Sequence, residues 1–468
     1  MLRIKRIYIF LLIFAVFVPS MKIQAAYRDT QGKVHLKPGI YQTLDKLEKS
    51  KDDLAKEFTE GPSEWVKSGY YSYEFLDSQK KYITIRKIDP EAVQGRRLVI
   101  PKEIDGHQVL GVGLWTDWVV AGFEECYRMM ERKKDITGLV PPEWLEIFGY
   151  DVCYSMVEQD LVDLTEIVLP EGLEFIGALS FYRYLSVKKI SFPNSLVVIR
   201  TRALYDCPIG EMELPPGVYV ENGALDGSGI DIGEGDDDNG GLPFHGCSPR
   251  KITMYSDSLV SFSNTWFADW GCAQLHIRYY EKDSYSLDLP GYIEKLYIDK
   301  KLMKFRLGMA YKNVSEEDGR REDYQVRKLI INGRNTKLEL YKRKSDVMLF
   351  RSVKGLYTAK GAASIKGAKK YGIPSYWKTA GKAKEVKAKK KNGSYQANWK
   401  KIKTTVCKYY FSSNKDKWAT KKTPVKTVYK VYGKKIKNGS YQLIKTTKKR
   451  SIKSKYKYIK AVPVREWE

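Results

Sequence analysis

Apolar positions in the middle of the chain recur in blocks, not at the 3.6-residue spacing of a helix. Ile167-Val168-Leu169-Pro170, Ile190-Ser191-Phe192-Pro193 and Met212-Glu213-Leu214-Pro215 follow one another at intervals of 23 and 22 residues. A second element keeps the same phase. Ile176 to Phe181, Ile199 to Leu204 and Val220 to Leu225 each place one apolar residue five positions after another, with Ser180, Ala203 or Ala224 just before the second. A third feature is an aromatic residue or Leu followed three positions on by Cys: Phe123/Cys126, Tyr150/Cys153, Leu204/Cys207 and Phe244/Cys247. Leu98-Val99-Ile100-Pro101 and Leu139-Val140-Pro141 extend the series upstream. Units of this length cannot bury an apolar face alone, so they must stack, each giving a short strand and a turn to a continuous core. The expected fold is a β-rich repeat protein, a solenoid of short strands and turns with few helices.

The flanks read differently. Arg3, Lys5 and Arg6 precede an apolar run from Ile7 to Val18, and Ala25-Ala26 closes the polar stretch after it. That is the pattern of a secretory signal peptide over residues 1–26, its apolar run short of the ~20 residues of a membrane span. Residues 27–69 set Tyr41, Leu44, Leu47, Leu54 and Phe58 at near-helical spacing, which predicts an amphipathic helix packed on the next domain. Tyr73, Phe75, Tyr82, Ile83, Ile85 and Ile88 predict two strands joined through Asp77-Ser78-Gln79-Lys80. Candidate strands at Ile252–Tyr255, Leu275–Arg278, Leu296–Ile298 and Leu329–Ile331 carry the repeat pattern on with irregular spacing.

Pro170–Phe181 and Pro193–Cys207, with Pro-x(5)-Ile and then Ala/Ser-Phe-x-x-Cys, resemble the BspA-like leucine-rich repeat of bacterial surface proteins. Leu98–Val109 is similar to that family's first repeat, and Leu356–Ile373 to its closing cap, a strand followed by an Ala-rich helix. The resemblance implies a leucine-rich repeat solenoid over residues 70–375 that presents a surface to a protein or glycan ligand. After Gly381 the chain turns to Lys, Tyr and Thr in period-two patterns, with Asn-Gly turns at Asn392-Gly393 and Asn438-Gly439. Residues 376–468 resemble a fibronectin type III-like β-sandwich, carried by Trp399, Tyr409-Tyr410-Phe411, Gly439–Ile444 and Tyr456–Val462.

Charge sharpens this division. Residues 351–468 hold 35 Lys/Arg and 4 Asp/Glu, a net of +31, against +26 for the whole 468-residue chain. Residues 27–350 hold 43 and 52, a net of −9. The candidate polyanion site is therefore Lys401, Lys403, Lys408, Lys434, Lys435, Lys437, Lys448, Lys449, Arg450, Lys453, Lys455 and Lys457, with strand alternation expected to put many of them on one face. Such a field is screened beyond ~8 Å at physiological salt, so it acts at contact on teichoic acids, sulfated or sialylated glycans, DNA or anionic headgroups.

Other chemistry is sparse. Four His, lying in a repeat turn (His107), beside strands (His245, His276) or in the N-terminal segment (His35), mark no catalytic or zinc constellation. Nucleophile elbows, zinc-protease helices, Walker loops and dinucleotide fingerprints are missing, so the reading is non-enzymatic with no cofactor or metal. Six Cys, four at one repeat position, point to stacked buried thiols, with Cys207–Cys247 the disulfide to check. The acidic, Gly-rich stretch 226–241 matches no calcium-loop spacing and reads as a solvated loop. The chain is expected to be secreted, and to sit non-covalently on a Gram-positive-type cell surface through its basic module, for want of a lipobox cysteine or sorting motif. A wall-active enzyme with a site hidden in 252–350, or a secreted nucleic-acid binder, are the alternatives.

Overall fold

The computed structural model describes residues 25–31, 33–49, 65–115, 164–178, 180–181, 184, 186–200, 203–204, 207–221, 224, 250–260, 271–289, 292–309, 326–340, 353–412 and 417–467. The expected leader core, the acidic stretch 226–241, and Cys126, Cys153, His245 and Cys247 lie outside the described residues. Two compact units divide the chain, Met1–Phe267 and Ala268–Glu468.

In the first unit the described repeats give strands to two parallel sheets. In the first sheet Arg97–Val99, Glu166–Val168 and Lys189–Ser191 pair with Leu98, Ile167 and Ile190 in register. Farther along, Met212 of Glu211–Glu213 pairs with Ile252 of Lys251–Tyr255. These five side chains are buried because each is the inward residue of its strand, as period-two geometry requires. The second sheet aligns Val112, Ile176, Ile199, Val220 and Val260 on parallel strands. The phased features of the sequence are thus the two walls of one coil. A hairpin opens the array: Tyr71–Phe75 pairs antiparallel with Tyr82–Ile88, which runs parallel to His107–Val112. Its turn is held by Asp77 Oδ1, which accepts the N–H groups of Lys81 and Tyr82 at 2.9 Å each.

The expected amphipathic helix in 27–69 is not what the described residues form. Tyr27–Arg28 pairs with Val34–His35, and a short 3₁₀ turn, Ile40–Thr43, follows Pro38-Gly39. Residues 25–31 and 33–49 are a strap laid over the outer face of the second sheet. Leu36, Ile40, Tyr41, Leu44 and Leu47 pack on Leu76, Leu110, Trp115, Phe175, Val197 and Val198. The helical pattern fails for a physical reason: the N–H groups of Ile40 and Tyr41 donate to the Glu174 carboxylate at 2.7 and 2.9 Å, and the chain runs on to meet an apolar row instead of coiling on itself. The packing onto the next domain read from Tyr41, Leu44 and Leu47 does hold, while Leu54 and Phe58 lie outside the described residues.

The second unit repeats the scheme with longer strands. Gly271–Arg278, Tyr292–Ile298, Val326–Ile331 and Leu356–Thr358 run parallel, with Leu275, Leu296, Leu329 and Leu356 in one buried row. Ser284–Leu289, Lys304–Met309 and Lys337–Leu340 form the opposing parallel sheet. The irregular stretch of the sequence is therefore still repeat structure where it is described. The helix Ser364–Lys370 follows Leu356–Thr358, as the cap-like pattern predicts. Residue 375, where the sequence places a domain boundary, opens the strand Ser375–Ala380. That strand pairs parallel with Leu356–Thr358 and antiparallel with Thr404–Ser412, whose hairpin partner Lys417–Val425 closes the sheet. The remaining C-terminal strands form two sheets around one core. Lys384–Lys387, Tyr458–Pro463, Tyr429–Lys434 and Gln442–Thr447 make one; Lys389–Lys391, Ser394–Asn398 and Ser451–Ser454 make the other. Ala397, Trp399, Tyr429, Val431, Ile452, Ile459 and Ala461 fill the space between them.

Candidate functional site

Among the described residues, the strap covers the outer face of one of the first unit's two sheets and leaves that of the other open. On the open face the outward residues of successive strands carry alternating charge. Glu166 is 2.5 Å from Lys189 and 3.3 Å from Arg97; Glu211 is 2.6 Å from Arg250 and 3.7 Å from Lys251. The Lys189 ammonium holds the Glu166 carboxyl below the usual carboxylate range, and the Arg250 guanidinium does the same for Glu211. These ladders are exposed and add little to stability. Their effect is to set each carboxylate between two cations, which leaves this row with a small positive excess.

Beside this row lies a second. Val99, 47% exposed, continues in register through Val168 to Ser191. An open groove of about 320 Å³ lies at its end, lined by Ser191, Phe192, Asn194, Glu213, Pro215 and Tyr255. The Tyr255 hydroxyl donates to Glu213 Oε1 at 2.7 Å, so the carboxylate and the phenol ring are fixed relative to one another. Ring faces, a carboxylate, an amide and a hydroxyl in one shallow groove suit a ligand recognised by shape and hydrogen bonding.

The basic residues predicted from the sequence are not gathered on one face. Alternation acts along strands, and most of the twelve sit in turns. Lys401 and Lys403 lie in the loop after Trp399, whose N–H donates to the Arg450 carbonyl at 3.1 Å and so brings the turn Lys448-Lys449-Arg450 to the same pole. At the opposite ends of these strands are Lys434, Lys435 and Lys437, with Lys455 and Lys457; Lys434 pairs directly with Tyr458. Lys453 lies between the poles on the outer face of the three-stranded sheet, across Gln396 from Lys389. Lys408 stands apart on the long sheet, 5.1 Å from the Tyr410 ring centre and 5.7 Å from that of Tyr376.

Acidic residues are distributed unevenly around these cations. Glu385 is 2.9 Å from Lys460, and Glu466 is 3.6 Å from Lys430, both on the four-stranded sheet. The strands of the three-stranded sheet contain no Asp or Glu at all. Lys389, which the sequence reading missed, belongs to that acid-free face; only strand register reveals it.

Residues 159–269 match the model of the BspA type leucine rich repeat region, in six copies. This stretch is a BspA-type leucine-rich repeat region. No curated protein matches the chain. Among solved structures, a T. pallidum leucine rich repeat protein is 14% identical with a TM-score of 0.28, covering 50% of this chain and 85% of that one. A leucine rich cell surface protein from Faecalibacterium prausnitzii A2-165 is 12% identical with a TM-score of 0.14, covering 61% and 96%. Neither superposition is close enough to bear on function.

Within the BspA-type repeats, Cys207 sits in a turn and donates its thiol to the Phe181 carbonyl of the preceding repeat at 2.9 Å. Cys207, Cys272 and Cys407 are buried and reduced, and burial pushes the Cys272 thiol far above its ordinary range. A buried thiol of that kind is a poor nucleophile. Native protein should therefore leave these three unlabelled by maleimide, and denatured protein should label all three. Labelling of Cys207 in the native state would show that its turn opens. His107 and His276 are packed against aromatic rings, His107 edge-on to Phe75 and His276 stacked on Tyr297 at 4.2 Å. Among the described residues no group of three or more His, Cys, Asp or Glu could hold a metal ion, and no helix is long and apolar enough to cross a membrane.

Proposed function

We propose that the chain is an exported, surface-located interaction protein whose BspA-type repeats present the open sheet to a protein or glycan ligand, while the lysine-rich C-terminal residues engage a polyanion such as an anionic cell-wall polymer. The observation that carries the first half is the asymmetry of the repeat faces. The strap occupies the outer face of the second sheet, and the first sheet is left open with its charges paired among themselves. A ligand gains little there from net charge and is selected by the shape and hydrogen-bonding groups of the groove. The second half is supported by 35 Lys/Arg against 4 Asp/Glu in residues 351–468, and by the acid-free three-stranded sheet. The leader-like pattern of residues 1–26 and the surface-protein family of the repeats both fit an extracellular place, on a Gram-positive-type cell where the wall itself is a polyanion.

The test is a glycan and protein array probed with the chain from Tyr27 onward. A ligand of the repeats should lose about tenfold in affinity with Glu213→Ala or Tyr255→Ala, as residues central to a binding patch do. It should be indifferent to substitutions of the C-terminal lysines. Release of soluble fragments from peptidoglycan by the purified protein would replace this reading with an enzymatic one.

A further inference from the structure

The two most exposed large apolar side chains among the described residues lie on one hairpin of the C-terminal sheets. Ile436 is 67% exposed in the turn between Tyr429–Lys434 and Gln442–Thr447, and Leu443 is 56% exposed at the start of the second of those strands. An apolar side chain at the tip of a turn has no structural reason to be there: it contributes nothing to the core, and Ser or Asn would make the same turn. Around it stand Lys434, Lys435 and Lys437, with Lys455 and Lys457 from the neighbouring turn. Tyr441, Tyr456 and Tyr458 lie between them, with Lys434 4.4 Å from the Tyr441 ring centre and Lys455 5.6 Å from that of Tyr456. The nearby carboxylate, Glu385, is matched by Lys460. No Asp or Glu occurs from Val386 to Lys415 or from Lys417 to Arg465.

We propose that this pole is a docking site for an anionic lipid bilayer, with Ile436 and Leu443 entering the headgroup and acyl boundary while the lysines meet lipid phosphates. Each component has a matching role. Apolar residues on a basic surface bind by buried apolar area together with attraction to anionic lipid. Tyrosines, apolar in body and polar at the tip, favour the interfacial depth. A dissolved polyanion would use the lysines and ignore the isoleucine. The charge complementarity is shared with the polyanion reading above; the apolar tip is not, and it separates the two.

The experiment uses the chain from Tyr27 onward, so that the apolar leader segment is absent, with vesicles of phosphatidylcholine alone and with phosphatidylglycerol added. Binding should require the anionic lipid. Ile436→Ser, which changes no charge and sits on the surface, should weaken vesicle binding by about tenfold, on the scale of methylene transfer. Lys435→Gln and Lys437→Gln should each weaken it by about fivefold. Binding of soluble polyphosphate by the Ile436→Ser protein should equal that of the parent. Equal vesicle binding by parent and Ile436→Ser proteins, or no binding to anionic vesicles, overturns the proposal. Vesicle binding that depends on Ile436 in a protein that ignores polyphosphate would uphold it while removing the wall-polymer reading.

Discussion

Removing residues 25–49 should lower the melting temperature of the first unit by about 10–20 °C and make it bind a hydrophobic dye. The strap covers Phe175 and Val198, both fully buried, and sets the Tyr41 ring on Trp115 at 5.1 Å. Five half-buried apolar side chains at roughly 1 kcal/mol each come to about 5 kcal/mol, and a unit of this size shifts by ~2–4 °C per kcal/mol. The Glu174 carboxylate would also lose the two N–H groups it accepts. Glu174→Gln, which keeps the shape but not the charge, should cost about 1–3 kcal/mol. A truncated protein that melts like the parent would mean that the strap is an ornament.

The strap also builds in a pH dependence. Lys37 is buried with its ammonium donating to the Asn194 and Pro216 carbonyls at 2.9 and 3.1 Å. Burial lowers its pKa to about 8, against the pull of Asp257, Glu174 and Glu171. Between pH 8 and about 10 the folded Lys37 is largely neutral while the unfolded chain still carries the proton. The unfolded state then binds more protons, so this residue makes stability rise with pH across that window, by up to about 1.4 kcal/mol per pH unit. Below pH 8 both states are charged and the slope vanishes. Chemical denaturation at pH 8 and 10 should show the difference in the parent and its loss in Lys37→Met.

How much of this could be read from the residues follows from which interactions are local in the repeat. Ile167, Ile190 and Met212 are legible because stacking asks for one inward residue per coil, and that demand repeats in the sequence. The strap is not legible, because Tyr41, Leu44 and Leu47 satisfy helical spacing as well as they satisfy an apolar row on a sheet. The partner that decides, Glu174, is 133 residues from Tyr41. Strand pairing hid the seam at residue 375 in the same way. Composition changes there, yet Tyr376 pairs with Tyr357 on one side and Lys408 on the other, so the basic residues continue the repeat sheet. For the lysines, density was visible and placement was not. Lys448, Lys449 and Arg450 follow one another in a turn, where alternation has no meaning, and the pairing of Ser394–Asn398 with Ser451–Ser454, extended by the Trp399 to Arg450 hydrogen bond, sets them beside Lys401.

That placement leads to the largest effect expected of the basic residues. Replacing Lys448, Lys449, Arg450, Lys453 and Lys455 by Gln strips the turn cations from one pole, Lys453 from the acid-free sheet and Lys455 from the other pole, and leaves Lys401, Lys403, Lys434, Lys435 and Lys437 in place. Cations that neutralise phosphates release counterions, each contributing roughly 0.7–0.9 to the slope of log affinity against log salt. Five lost contacts should therefore flatten the slope for teichoic-acid-bearing walls by about 3.5–4.5. Affinity at low salt should fall by orders of magnitude, while thermal stability stays within about 1 kcal/mol because these charges are exposed. The parent itself should elute by roughly 0.5 M salt, where screening acts within ~4–5 Å. The quantity to measure is wall-bound protein across a salt series for the two proteins. Retention at 1 M salt, or an unchanged slope in the substituted protein, would mean that these five cations do not hold the wall and that a receptor for the open repeat face does.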